Sequence, residues 1–226
     1  MSSSSSDVSR TPAPARAWAP PAPLPAQFVT ERLTIRWYQQ SDAEMLTRVI
    51  RRSRDVLLPW LPWARNDYTK PEDGVYNIEW FRRWRDGGHD AEFQSIPGYV
   101  MGIFLNTTGE MVGGTGLARM NIRTHTAEIG YWTDAPQRGR GYCPEATAGL
   151  ISWCFRPQAE SGWGFRRVHI LAASENTASC RVCEKLGLRQ YMHAREDRIV
   201  EGVGLSGTRG WDVLAGEWDT ERHRLR

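Results

Sequence analysis

The chain has 226 residues, enough for one sizeable hydrophobic core and a short appendage. Its net charge of +3 is mild and its basic residues are dispersed, with only short pairs such as Arg51-Arg52 and Arg82-Arg83, so it lacks the basic stripe of a nucleic-acid binder. No apolar run is long enough to span a bilayer, no signal-peptide core follows the N-terminus, and four cysteines in so long a chain do not make a disulfide framework, so a cytoplasmic setting is expected.

Residues 1–26 join a serine run to TPAPARAWAPPAPLPA, which removes backbone donors and offers little to bury, and they read as a disordered tail. One domain is expected over residues 27–220, with a short tail at 221–226. Leu33, Ile35 and Trp37 alternate with polar neighbours and predict a strand. Ser41-Asp42-Ala43-Glu44 matches a capping box, and Met45, Leu46, Val49 and Ile50 continue at helical spacing. The two prolines of LLPWLPWA interrupt that helix. A second helix is expected from Pro71 to Asp86, with Val75, Ile78, Phe81 and Trp84 on one face and Gly87-Gly88 as its stop.

Strands are predicted at Tyr99–Leu105 and Met111–Asn121, flanking the turn NTTGE, and at Thr126–Thr133. The segment PQRGRGYCPEA then leads into a helix over Pro144–Phe155. VHILAA reads as a buried strand and ENTASCRVCEKLG as a helix closed by Gly187, followed by strands near Leu188–Ala194 and Trp211–Glu217. This order predicts an α/β protein of the α+β type: a mixed, mostly antiparallel central sheet with helices on both faces.

Arg138-Gly139-Arg140-Gly141 falls between a strand and a helix start. A helix N-terminus offers unpaired N–H groups and a positive dipole end, glycine lets a ligand approach the backbone, and arginine adds fork-shaped donors, so the segment suits a pyrophosphate. The same composition also suits an exposed turn. It is neither a Walker loop nor a Rossmann fingerprint, since no Gly-Lys-Ser/Thr and no third glycine follow.

Four stretches in order, TERLTIRWYQQSD, LLPWLPWA, AEIGYWTDAPQRGRGYCPEA and ENTASCRVCEKLGL, resemble the GCN5-related N-acetyltransferase superfamily, in its RimJ/RimL branch of ribosomal-protein alanine and serine acetyltransferases. The resemblance covers about Thr30 to Glu217. It implies acetyl-CoA as co-substrate. No metal is expected, because a zinc site at Cys180 and Cys183 would need two more ligands and His169 and His193 show no ligand spacing. The pyrophosphate would lie on backbone N–H groups of Arg138, Gly139, Arg140, Gly141 and Tyr142. The pantetheine arm would lie along Ile129, Gly130, Tyr131, Trp132 and Thr133, in a gap before VHILAA, with Asn176 and Ser179 facing it. Two residues depart from the family pattern. Cys143 stands where glycine or alanine closes the loop motif, and Cys183 stands where many members carry a tyrosine acid.

Acetyl transfer to an amine must deprotonate the nitrogen, stabilise the carbonyl oxygen and protonate the departing thiolate. Glu128 is the expected base, by analogy with relatives that place a glutamate on this strand, although a strand glutamate paired with an arginine would look the same in sequence. Asp134, Glu201 and Asp212 are further candidates. Ser179 is the expected acid, although a first-turn serine also satisfies backbone groups. Trp60 and Trp63 lie on the proline-held loop that borders the acceptor channel in relatives, where core packing would also account for them. The expected acceptor is a protein N-terminal amine, with small-molecule amines next, and a CoA-binding sensor without turnover is the rival from another class. No nucleic-acid or membrane partner is expected, and the chain would be a monomer or a homodimer.

Overall fold

The computed structural model describes residues 19–65, 68–86, 98–121, 123–223 and 225. The first predicted strand forms as β2 (Leu33–Trp37), with Leu33 and Ile35 wholly buried between half-exposed Thr34 and Arg36. Ahead of it lies β1 (Gln27–Val29), too short to show a period, pairing antiparallel with Phe28 opposite Ile35. Helix α1 (Ala43–Leu57) buries Leu46, Val49, Ile50 and Leu57, as its spacing predicts. Its start is not the expected capping box. Ser41 is exposed, and Asp42 instead accepts the Gln39 N–H at 2.7 Å and the Arg36 guanidinium at 2.7 and 2.9 Å.

LLPWLPWA becomes a turn and a 3-10 turn over Pro62–Arg65, as the prolines require. Helix α2 (Pro71–Arg85) packs tightly on α1 through Gly74, where a Cβ would stand 2.1 Å from the Ala43 carbonyl oxygen. The expected Gly87-Gly88 stop lies outside the described residues.

Strands β3 (Tyr99–Leu105), β4 (Met111–Asn121) and β5 (Thr126–Thr133) form the expected antiparallel run, followed by α3 (Tyr142–Phe155), β6 (Arg167–Ala173), α4 (Thr177–Lys185), β7 (Arg189–Val200) and β8 (Gly204–Leu214). They make one eight-stranded sheet in the order β1-β2-β3-β4-β5-β6-β8-β7, antiparallel throughout except between β5 and β6. The last strand begins at Gly204 rather than Trp211, because β8 pairs on both edges while much of β7 is exposed and shows no alternation.

Helices α1 and α2 cover β3 and β4 on one face, while α3 and α4 cover the other. The larger core lies beneath α3 and includes Ile35, Met101, Leu117, Ile129, Leu150, Trp153 and Trp211. The smaller, beneath α1 and α2, gathers Leu46, Ile50, Ile78, Phe104 and Met111. Both expected tails reach the body. Pro21 is buried, Leu24 packs on the larger core, and the Ala19 carbonyl accepts from Gln158 at 2.8 Å. At the other end the His223 ring stacks on Trp218 at 4.4 Å and its carbonyl accepts from Ser152. Residues 1–18 of the expected N-terminal tail lie outside the described residues.

Candidate active site

Strand β5 leads through a 3-10 turn, Ala135–Gln137, into α3, with Gly141 as the helix's N-cap residue at φ +80°. Gly139 sits at φ +77°, so both glycines occupy the left-handed region that a side chain would strain. The N–H groups of Gly139, Arg140, Gly141 and Tyr142 donate to no described residue. Free donors at the positive end of a long helix, next to exposed Arg138 and Arg140, make an anion cradle.

Two carboxylates, Glu145 half-buried and Asp134 wholly buried, hold the cradle in shape. Glu145 accepts from the Arg32 Nε at 2.6 Å, the Arg32 N–H at 2.8 Å and the Thr30 hydroxyl at 2.7 Å. Arg32 also donates to the Arg140 carbonyl at 3.0 Å and lies 4.8 Å above the Tyr142 ring. At the end of β5, Asp134 has no exposure and receives the Arg52 Nε at 2.9 Å, a second Arg52 nitrogen and the Ser53 hydroxyl at 2.8 Å. The Ser53 oxygen in turn accepts the Ala135 N–H. Asp134 thus ties α1 to the start of the loop.

Strands β5 and β6 pair only from Thr126, Ala127 and Glu128 to Arg167, Val168 and His169. Beyond that point β5 keeps β4 as its partner while β6 pairs with β8, so Ile129–Thr133 borders a splayed gap with one free edge. An extended ligand arm can enter such a gap and hydrogen-bond as an added strand would.

On the α3 and α4 side of the gap, Asn176 caps α4 by accepting the Ser179 N–H at 3.1 Å. The Ser179 hydroxyl donates to the Tyr131 oxygen at 3.2 Å, and the Tyr131 hydroxyl donates to the Ser179 carbonyl at 3.1 Å. The same hydroxyl lies 3.6 Å from the Cys183 sulfur. No tyrosine follows Ser179 by four residues, yet a tyrosine from the neighbouring strand places its hydroxyl beside Cys183. Burial pushes the Tyr131 hydroxyl well above its ordinary 10 and the Cys183 thiol up to about 12, so both are neutral donors.

On the opposite face, β5 presents Glu128, Gly130 and Trp132. Gly130 is exposed, and a Cβ there would meet nothing within 4 Å. Trp63 is 36% exposed and packs edge-to-face on Trp132 at 5.9 Å, while Trp60 is half-buried in the turn after α1. Next to Trp63, Arg65 pairs at 2.6 Å with Glu201 in the β7–β8 turn, so the loop and the hairpin are bridged. This pairing gives Glu201 a structural use.

The Glu128 carboxylate accepts from Arg119 at 2.8 and 3.0 Å, and its Oε2 lies 3.6 Å from the Nε2 of His169. Arg119 reaches it from a bulge in β4, at φ +41°. Burial would raise the Glu128 pKa, but hydrogen bonds and charge from His169 and Arg119 outweigh it and hold the carboxyl below 4.5. Asp212 is buried with its oxygens taken by Arg167 and Arg189.

The structure therefore gathers Glu128, Ile129, Gly130, Tyr131, Trp132 and Thr133 along one splayed strand and closes it with the loop from Arg138 to Tyr142. Sequence reasoning missed the Arg32 brace, the Arg119 contact, the Tyr131 hydroxyl and His169. Their partners lie far along the chain or across strands, so no local spacing reveals them. Among the described residues no group of three or more His, Cys, Asp or Glu could hold a metal ion, and no helix is long and apolar enough to cross a membrane.

Comparison with known proteins agrees with this geometry. Over 194 residues the chain is 27% identical to "Putative ribosomal N-acetyltransferase YdaF" of Bacillus subtilis (strain 168), covering 86% of this chain and 97% of that one. Its fold superimposes on the ribosomal-protein-S5-alanine acetyltransferase of Vibrio fischeri with a TM-score of 0.68 at 18% identity, over 86% of this chain and all of the other. It also superimposes on RimL, a ribosomal L7/L12 alpha-N-protein acetyltransferase solved with coenzyme A, with a TM-score of 0.65 at 18% identity over 84% and 97% of the two chains. Residues 32–189 match the acetyltransferase (GNAT) domain, and the chain belongs to that family of N-acetyltransferases.

Proposed function

We propose that the protein moves an acetyl group from acetyl-CoA to a protein or peptide N-terminal amine, by direct attack in a ternary complex. The observation that carries this reading is the splay between β5 and β6, with unpaired N–H donors at the α3 end and a Glu128–His169 pair where the strands part. The cradle from Arg138 to Tyr142 would take the pyrophosphate, and the free edge of Ile129–Thr133 would take the pantetheine arm. A β5 N–H on that edge would stabilise the thioester oxygen as charge develops. The Ser179–Tyr131 hydroxyl pair would donate to the departing sulfur. The acceptor amine would enter from the opposite face, between Trp63 and the β7–β8 hairpin, and shed its proton to the Glu128–His169 pair.

The choice of an N-terminal amine is supported by the ribosomal-protein names of the similar proteins and by the open, aromatic-walled approach over Gly130. Thiol release from acetyl-CoA, measured with peptides beginning in alanine or serine and with small amines, tests it. Turnover with the peptides is expected. Turnover with small amines alone would move the acceptor to that class. Acetyl-CoA binding without turnover would favour a sensor, and no binding would refute the reading of the cradle.

A further inference from the structure

We propose that His169 is the catalytic base that takes the proton from the acceptor nitrogen, and that Glu128 is a positioning residue that orients its ring. The inference deepens the acetyl-transfer reading above and rests on it. Three observations carry it. First, Glu128 and His169 form the last paired position before β5 and β6 part, on the face away from α3, so the ring stands where the two halves of the reaction meet.

Second, the Glu128 carboxylate is committed. Arg119 donates to both of its oxygens and His169 approaches one of them, an arrangement that favours the ionised carboxylate and makes it a weak proton acceptor. Third, the ring has a vacancy. With Nε2 turned to Glu128, the Nδ1 atom is buried and has no hydrogen-bond partner among the described residues. A buried ring nitrogen without a partner calls for a ligand, and an Nε2–H facing the carboxylate leaves the Nδ1 lone pair to receive a proton.

The other charged groups facing the ring leave it that role. Asp212 on β8 pairs in register with His169, but its oxygens are occupied by Arg167 and Arg189. Arg119 on β4 is spent on Glu128. As an N–H bond of the amine breaks, the proton passes through one bridging water to Nδ1, which is closed to direct contact, and the nitrogen lone pair forms the C–N bond. The C–S bond then breaks, its electron pair leaves on sulfur, and the thiolate takes a proton from the Ser179–Tyr131 pair. The phenolic oxygen is restored from solvent as His169 releases its proton.

The test is the pH dependence of kcat/KM for a turned-over amine in wild type, H169Q and E128Q. For H169Q we expect a roughly 10²- to 10³-fold loss of kcat and disappearance of the acidic limb, with the KM for acetyl-CoA and the unfolding temperature unchanged. For E128Q the limb should survive with a smaller loss of kcat, because the base remains while its ring loses the carboxylate that orients it. In the resting protein, ¹⁵N resonances of the His169 ring should report an Nε2–H tautomer in wild type and a mixture of tautomers in E128Q.

An H169Q variant that keeps the wild-type limb and rate overturns the proposal, as does a limb lost in E128Q alone or a ring tautomer unchanged by E128Q. If wild type binds acetyl-CoA but transfers to no amine, both this inference and the proposed function fail. Wild-type turnover with an indifferent H169Q sinks this inference alone.

Discussion

Replacing Asp134 with alanine removes a wholly buried carboxylate that accepts from two Arg52 nitrogens and from Ser53. Breaking a buried ion pair by deleting one partner costs about 3–5 kcal/mol. The Arg52 side chain is 35% exposed, so water recovers part of its charge and the lower end, about 3 kcal/mol, applies. In a chain of 226 residues each kcal/mol moves Tm by about 2–4 °C, so D134A should melt roughly 6–12 °C below wild type.

The same substitution releases the Ser53 oxygen, which accepts the Ala135 N–H just before the anion cradle, so acetyl-CoA affinity should fall with stability. S53A keeps the ion pair and should cost only about 1 kcal/mol. Urea unfolding of D134A, S53A and the double variant, with acetyl-CoA titration of each, makes the measurement. A D134A midpoint within about 0.5 kcal/mol of wild type, or an unchanged acetyl-CoA affinity, would refute the claim that this carboxylate anchors the loop to α1.

Three further outcomes are expected. R32A removes the brace on Glu145, the Arg140 carbonyl and Tyr142, and should raise the acetyl-CoA KM about tenfold with little change in kcat; steady-state kinetics on acetyl-CoA checks it. G130L places a side chain in the open space over β5, so it should fold normally and keep its acetyl-CoA KM while the acceptor KM rises, and equal rises in both would count against an acceptor path there. Glu128 has a lowered folded pKa, so the stability it contributes is present above its unfolded value near 4.5 and fades as pH falls through the folded value. E128Q should therefore flatten unfolding midpoints measured from pH 6 to 3, and parallel curves for the two proteins would contradict this.

Much of the fold is legible in local pattern. Leu33 and Ile35, and Leu46 with Val49 and Ile50, each announce their element, because hydrophobic period acts within a few residues. β1 and the full length of β7 and β8 are not legible. The first is too short for a period, and the hairpin is held by pairing across strands while one side stays exposed.

The candidate site divides in the same way. The cradle shows in sequence, since Gly139 and Gly141 mark left-handed backbone before a helix. The Tyr131 hydroxyl beside Ser179 and Cys183 does not, because it comes from a strand paired in space rather than from the helix that carries the motif. Sequence by itself determined the order of elements from β2 onward, the glycine loop before α3 and the strand bearing Glu128, all consequences of neighbours within one turn or one strand. Only the tertiary structure decided which groups that strand meets. The parallel register sets His169 opposite Glu128, the bulge in β4 aims Arg119, and the parting of β5 from β6 leaves the free edge, since hydrogen bonds and charge act across distances that the chain order does not encode.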